Sequence, residues 1–247
     1  MTPTGNTILI SGGGSGIGRE LARRLDAAGN VVIVAGRRQD ALDETISGRS
    51  DMHALTLDVE SADGVADFAA RLLRDHPGVN VLINNAGIMR VEDATASRDL
   101  SDAEATVVTN LLGPIRMIDA LVDHLSTQPN AAIVNVTSGL AFVPLPKTPT
   151  YSATKAALHS YTVALRVQLQ GRVEVIELAP PAVQTELTPG QSTRQGYMPL
   201  DAFIDEVMSL MTAQPTPSEI LVEKVKRLRH AEANGNFDQA LAMLSTL

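Results

Sequence analysis

The sequence predicts an α/β fold, a doubly wound parallel sheet with helices on both faces. Three observations predict it. Apolar runs of four to seven residues alternate with helix-period segments along most of the 247-residue chain. Gly12, Gly13, Gly14, Gly16 and Gly18 crowd the turn after the first run. No linker-like stretch interrupts the first 178 residues. Runs this apolar, without polar alternation, belong to strands buried on both faces, as in a parallel sheet. Right-handed crossovers then distribute the helices over the two faces.

The elements follow in order. Residues 7–10 form the first strand, and 19–28 a helix with Leu21, Ala22 and Leu25 on one face. Residues 31–35, rich in β-branched side chains, form the second strand. Runs at 54–59, 79–83, 131–136 and 173–178 give four more, separated by helical patterns at 39–47, 61–75, 101–126 and 150–170. Prolines at 144, 146 and 149 make 140–150 an extended loop, and Pro180, Pro181, Pro189, Gly190, Gly196 and Pro199 make 179–200 irregular. Residues 200–211 read as a helix with Phe203, Val207 and Leu210 on one face. Residues 219–223 fit either a seventh strand or a helix start.

Composition excludes several functions. The chain is 44% hydrophobic and 19% charged, which is globular and not disordered. A net charge of −8 offers nucleic acid or an anionic membrane no counter-charge. With no cysteine, disulfides and thiolate chemistry are absent. The five histidines (His53, His76, His124, His159 and His230) show no metal-ligand spacing, so no metal is expected. No uninterrupted apolar run approaches the roughly 18 residues of a bilayer span, and 1–6 is short and polar. The expectation is a cytoplasmic protein with neither nucleic-acid nor membrane partners.

Five motifs carry chemistry. The glycine turn, Ser11 to Gly18, ends a strand and opens a helix. There the backbone can approach a pyrophosphate, and free helix N–H groups can bind it. The second strand ends in Gly36-Arg37-Arg38, with no carboxylate before Asp40. Guanidinium groups at that point bind a ribose 2′-phosphate, which favours NADP(H) over NAD(H). In Tyr151-Ser152-Ala153-Thr154-Lys155 the phenol and the ammonium stand four apart on one helix face. The ammonium and the helix N-terminus are expected to draw the phenol below its usual pKa of about 10, toward acid/base work on a carbonyl or alcohol. Ser138 follows the fifth strand, where ligands bind in open parallel sheets. Asn84-Asn85-Ala86-Gly87 follows the fourth; alone it is a turn signal.

In this order the five elements resemble the short-chain dehydrogenase/reductase family. The turn matches its Thr-Gly-x-x-x-Gly-x-Gly pattern, with Ser11 in place of Thr. The resemblance covers about residues 5–190 and implies one Rossmann-type domain spanning 1–247, with strand order 3-2-1-4-5-6-7. Residues 1–138 would mainly bind dinucleotide, 139–215 would supply the catalytic helix and substrate loops, and 216–247 would be an atypical tail. It implies Tyr151 as general acid/base, Lys155 holding the nicotinamide ribose, Ser138 orienting the substrate oxygen, and Asn110 in a water-linked relay with Lys155. Cofactor contacts would come from Gly12, Gly14, Ser15, Gly16, Ile17, Gly18, Arg37, Arg38, Asp58, Val59, Asn85, Ala86, Gly87, Tyr151, Lys155, Pro180, Val183 and Thr185. A homodimer or homotetramer built on the helices around 101–126 and 150–170 is implied as well. Pro181 departs from the family's Pro-Gly, and Ser15 replaces a basic residue common in NADP-preferring members. The block 178–185 and the tail are similar to a bacterial subgroup named after a D-alanylation operon.

The expected activity is NADP(H)-dependent reduction of a ketone or aldehyde, by preference a hydrophobic one, to an alcohol. NAD-dependent oxidation of a sugar or steroid alcohol, and NADPH sensing without turnover, are the alternatives. Leu140, Phe142, Val143, Leu145, Leu187, Tyr197 and Met198 are the pocket candidates, with Arg90 and Arg194 available to a carboxylate. The basic stretch 224–229 reads as a solvated face, and His159 as structural or interfacial.

Overall fold

A computed structural model describes residues 1–246. Seven parallel strands form one sheet in the order β3-β2-β1-β4-β5-β6-β7. They are β1 (Thr7–Ser11), β2 (Val31–Gly36), β3 (Met52–Thr56), β4 (Val79–Asn84), β5 (Ala132–Val136), β6 (Glu174–Leu178) and β7 (Glu219–Ile220). The helices are α1 (Gly16–Ala27), α2 (Gln39–Ile46), α3 (Ala62–Asp75), α4 (Ser101–Val107), α5 (Gly113–Leu125), α6 (Pro149–Gln168), α7 (Leu200–Met211), α8 (Glu223–Arg229) and α9 (Phe237–Ser245).

Successive strand residues serve opposite faces. Ile8, Ile10, Val32, Val34, Ile83 and Val134 pack with Leu21 and Leu25 of α1 and Phe203, Ile204 and Val207 of α7. Leu9, Ile33, Leu82 and Ile133 pack with Phe68 and Leu72 of α3, Met117 and Leu121 of α5, and Leu165 of α6. Burial on both faces explains why these strands read as continuous apolar runs.

Two expectations are corrected and one open alternative is resolved. The third strand is 52–56, not 54–59; Leu57 and Val59 are buried beyond its end. The single helix expected over 101–126 is α4, a π-helical turn at Val108–Leu112, and α5. That stretch is long and apolar enough by composition to cross a bilayer, but its core residues Met117, Ile118, Leu121 and Leu125 face the sheet. The segment 219–223 resolves into both alternatives, a two-residue strand followed by α8. The tail is docked through a small core of Val143, Leu228, Ala231 and Leu244.

Candidate active site

A trough crosses the carboxyl ends of the strands, where crossovers diverge to either face. Its first part, about 210 Å³, is lined by Gly12, Gly14, Ser15, Arg37, Arg38, Asp58, Val59, Ala86 and Gly87. Its second part, about 320 Å³, shares Gly12, Ser15, Ala86 and Gly87 and adds Gly16, Ile17, Gly18, Asn85, Ser138, Tyr151, Lys155, Pro180, Val183 and Thr185. The structure thus brings every residue expected to contact the cofactor to one continuous trough.

The glycine turn is shaped by close approach. Gly12 has φ of 69°, and a Cβ there would lie 2.8 Å from Ala86 Cα. At Gly18 a Cβ would lie 2.3 Å from the Gly12 oxygen. The Asn85 amide fastens β4 to this turn, donating to the Ser11 oxygen at 3.0 Å and the Gly12 oxygen at 3.1 Å. Ser11 completes the brace: its Oγ accepts from the amides of Asn85 and Ala86, both at 3.1 Å. Read from sequence, Ser11 was only a substitution in a motif.

Arg37 and Arg38 border the trough from the end of β2. The Arg37 guanidinium meets Glu60 Oε1 at 3.1 Å, and Thr109 Oγ1 donates to the same oxygen at 2.8 Å. This carboxylate arrives from beyond β3, outside the end of the second strand where the cofactor-selecting residue is sought.

At the other end Tyr151 and Lys155 rise from the first turns of α6, which opens on Pro149. The Lys155 Nζ lies 5.6 Å from the centre of the Tyr151 ring and donates to the Val136 oxygen at 2.8 Å. Both side chains are buried. Burial pushes the Tyr151 phenol up to about 12, against the pull of a hydrogen bond from Ser138. Burial also pushes the Lys155 ammonium down to about 8. The expected acidification of the phenol is therefore reversed. Desolvation disfavours both charged forms, and the ammonium is engaged by a backbone oxygen.

Asn110 lies in the π-helical turn with no exposed surface, behind the trough wall. Its Nδ2 donates to the Ile88 oxygen at 2.8 Å, and its Oδ1 accepts from the Ile88 amide at 2.9 Å. A Cβ on Gly87 would lie 3.2 Å from Asn110 Oδ1 and 3.7 Å from Lys155 Nζ, so Gly87 alone separates the two.

A further cavity of about 220 Å³ opens beside Ser138 and Tyr151. Leu140, Leu145, Leu187 and Tyr197 line it as expected; Phe142, Val143 and Met198 do not. Phe142 instead packs between the His159 ring and the Arg229 guanidinium, Val143 is in the tail core, and Met198 packs on the α1–α7 face. Arg90 borders the second part of the trough and approaches Asp102 at 3.5 Å, whereas Arg194 bonds the Tyr197 hydroxyl at 3.2 Å. Lys224, Arg227 and Leu228 of α8, with Met243 and Leu244 of α9, complete the wall. The basic stretch is thus only partly a solvated face. Its periodicity could not show that it folds back over a turn some 85 residues earlier.

Behind α6, His159 Nδ1 meets Glu177 Oε2 at 2.7 Å, and Thr137 Oγ1 donates to Glu177 Oε1 at 2.6 Å. Glu219 comes close enough to His159 and Glu177 for the three to hold an ion, but Arg229 already pairs with it through two contacts of 3.0 Å. The hydrogen bond to Glu177 raises the pKa of His159.

Residues 6–196 match the family model described as short chain dehydrogenase. The chain belongs to the short chain dehydrogenase family. An uncharacterized oxidoreductase of Bacillus subtilis, DltE, is 38% identical over 250 residues, covering 100% of this chain and 99% of that protein. This full-length similarity includes the tail that resembles the D-alanylation-operon subgroup. A sulfoacetaldehyde reductase of Chromohalobacter salexigens is 36% identical over 186 residues, 73% of this chain and 74% of that protein. A crystal structure of a Burkholderia cenocepacia short chain dehydrogenase in complex with NADP superposes with a TM-score of 0.82 at 25% identity, covering 100% of both chains. As a member of this family the chain is an oxidoreductase.

Proposed function

We propose that the protein is an NADP(H)-dependent carbonyl reductase, converting a small ketone or aldehyde to an alcohol in the cytoplasm. The observation that carries this reading is the convergence of Ser138, Tyr151 and Lys155 at one end of a trough whose other end is a glycine turn flanked by two arginines. The trough fits a dinucleotide, because the turn admits no side chain at Gly12 or Gly18 and leaves the N-terminus of α1 open to phosphate. When bound, the nicotinamide supplies hydride to the carbonyl carbon.

The chain's own residues handle the proton. A phenol held near pKa 12 keeps its proton at neutral pH and is the donor to the carbonyl oxygen as charge develops there. Ser138 orients that oxygen. Lys155, four residues after Tyr151 on the same helix, would hold the nicotinamide ribose and stabilise the phenolate left behind. Asn110, one glycine away from Lys155, would support a water-linked relay to the amine.

Arg37 and Arg38 support NADP(H), as a 2′-phosphate is bound by a guanidinium fork. The NADP held by the Burkholderia cenocepacia protein agrees with this reading. Glu60, paired with Arg37, favours NAD(H) instead, since a carboxylate there can accept from a ribose hydroxyl, and so does Ser15 in place of a basic residue. Affinities for NADPH and NADH, before and after Arg37→Asp, separate the two. A homo-oligomer is supported by Val163 and Val167, which stand 42% and 71% exposed on α6, beside Val107 and Leu112 on the neighbouring stretch.

The test is NADPH oxidation across a panel of aldehydes and ketones. Tyr151→Phe is expected to retain less than about a tenth of wild-type turnover, since a positioned acid contributes about 10²–10⁴-fold. NADPH binding with no turnover of any substrate would overturn the assignment in favour of a sensor.

A further inference from the structure

The cavity beside Ser138 and Tyr151 has an apolar lining, including Leu140, Leu145, Leu187 and Met243, and no carboxylate among the described residues. Two cations border it, Lys224 and Arg227. Their placement is set by packing. A Cβ on Gly139, the residue after Ser138, would lie 2.9 Å from both Val225 Cγ2 and Leu228 Cδ1, so α8 rests directly on the serine's turn. Lys224 and Arg227 each precede one of these anchors and are carried to the cavity with them.

The charges of α8 are treated unequally. Lys226 pairs with Glu223 at 2.7 Å, and Arg229 pairs twice with Glu219 at 3.0 Å. Lys224 makes no ion pair among the described residues; its Nζ donates to the Gly196 oxygen at 2.6 Å, which fixes it in place. Arg227 has neither ion pair nor hydrogen bond among the described residues. In a chain of net charge −8, two cations without carboxylate partners at the rim of an apolar cavity form a local positive field.

We propose that the carbonyl substrate carries an anionic group, a carboxylate or sulfonate, bound by Lys224 and Arg227 while its carbonyl lies against Ser138 and Tyr151. The inference rests on the reductase reading and adds the substrate class. The cavity volume of about 220 Å³ is below the roughly 300–1,000 Å³ of drug-sized pockets, which suits a short ω-oxo acid. An arginine fork gives such a group two directed hydrogen bonds, and the lysine adds a point charge.

The test compares succinic and glutaric semialdehydes with their methyl esters, and includes sulfoacetaldehyde, by NADPH oxidation. The acids are expected to exceed their esters in kcat/KM by about tenfold, chiefly through KM, the scale of one charge-assisted hydrogen bond. Arg227→Gln combined with Lys224→Gln is expected to bring the acid-to-ester ratio toward one, and Arg227→Glu to invert it. Esters turned over as well as the acids, or a ratio that survives the double substitution, would overturn the inference and leave the reductase reading standing. No turnover of any acid, ester or neutral aldehyde with either cofactor would overturn both.

Discussion

Replacing Lys155 by methionine is expected to stabilise the protein while abolishing turnover. The ammonium is buried, and its pKa falls from 10.5 to about 8. Holding the charged form at pH 7 therefore costs the fold about 3 kcal/mol, at about 1.4 kcal/mol per unit. Methionine removes that cost but leaves the Val136 oxygen without its donor, a loss of about 1 kcal/mol. The net gain is about 2 kcal/mol, or about 4–8 °C in Tm for a chain of this size. The sign with pH is definite. Between about pH 8 and 10.5 the unfolded chain holds a proton that the folded chain has released, so wild-type stability rises with pH. By pH 9.5 the penalty has fallen to about 1 kcal/mol and cancels the lost hydrogen bond. Thermal unfolding of both proteins without cofactor, at pH 7 and pH 9.5, measures this. A methionine variant less stable than wild type at pH 7, or a difference that does not change with pH, would refute the reasoning.

Gly18→Ala is expected to cost about 1–3 kcal/mol and at least tenfold in NADPH affinity, because its Cβ would lie 2.4 Å from Asn85 Nδ2 and 2.3 Å from the Gly12 oxygen; fluorescence titration and thermal unfolding read both. Glu177→Ala strands His159 and Thr137 and is expected to cost about 3 kcal/mol, measured by denaturant unfolding. His159 has its pKa raised by Glu177, so its contribution is complete below its ordinary value of 6.5 and is lost as pH rises through the raised value. Glu177→Gln is expected to flatten that decline in a pH series of melting temperatures. Val167→Asp is expected to lower the oligomeric state seen by light scattering without lowering Tm in the dissociated form, since the side chain is 71% exposed in the single chain.

The parts of the fold that were legible share one property, that local pattern and tertiary burial agree. β1, β2, β4, β5 and β6 are buried on both faces, so each prints as an apolar run. β3 is an edge strand, with His53 and Thr56 exposed. The apolar residues that pulled its predicted end to 59 are Leu57 and Val59, which are buried by the α3 side of the core and line the end of the trough beside Arg37. The π-helical turn at 108–112 adds one residue to a turn without disturbing apolar spacing, so it is invisible until Asn110 is seen facing Ile88. The tail was opaque for another reason. Val225 and Leu228 give too few apolar positions to define a face, and the surface they cover, Gly139, has no side chain to signal it.

The acid/base pair shows where sequence spacing stops being informative. Separation by four residues on a helix correctly places Tyr151 beside Lys155, and the trough correctly receives both. Proximity alone then predicts an acidified phenol. The fold does something different, because it buries both groups and turns the ammonium toward Val136, so desolvation outweighs attraction and the two pKa values move apart, the phenol up and the amine down. A phenol that holds its proton is the form that can donate to an oxygen gaining charge. The protonation states of the pair thus follow from burial, a property of the assembled sheet and helices, and not from the Tyr-x-x-x-Lys spacing by which the pair was found.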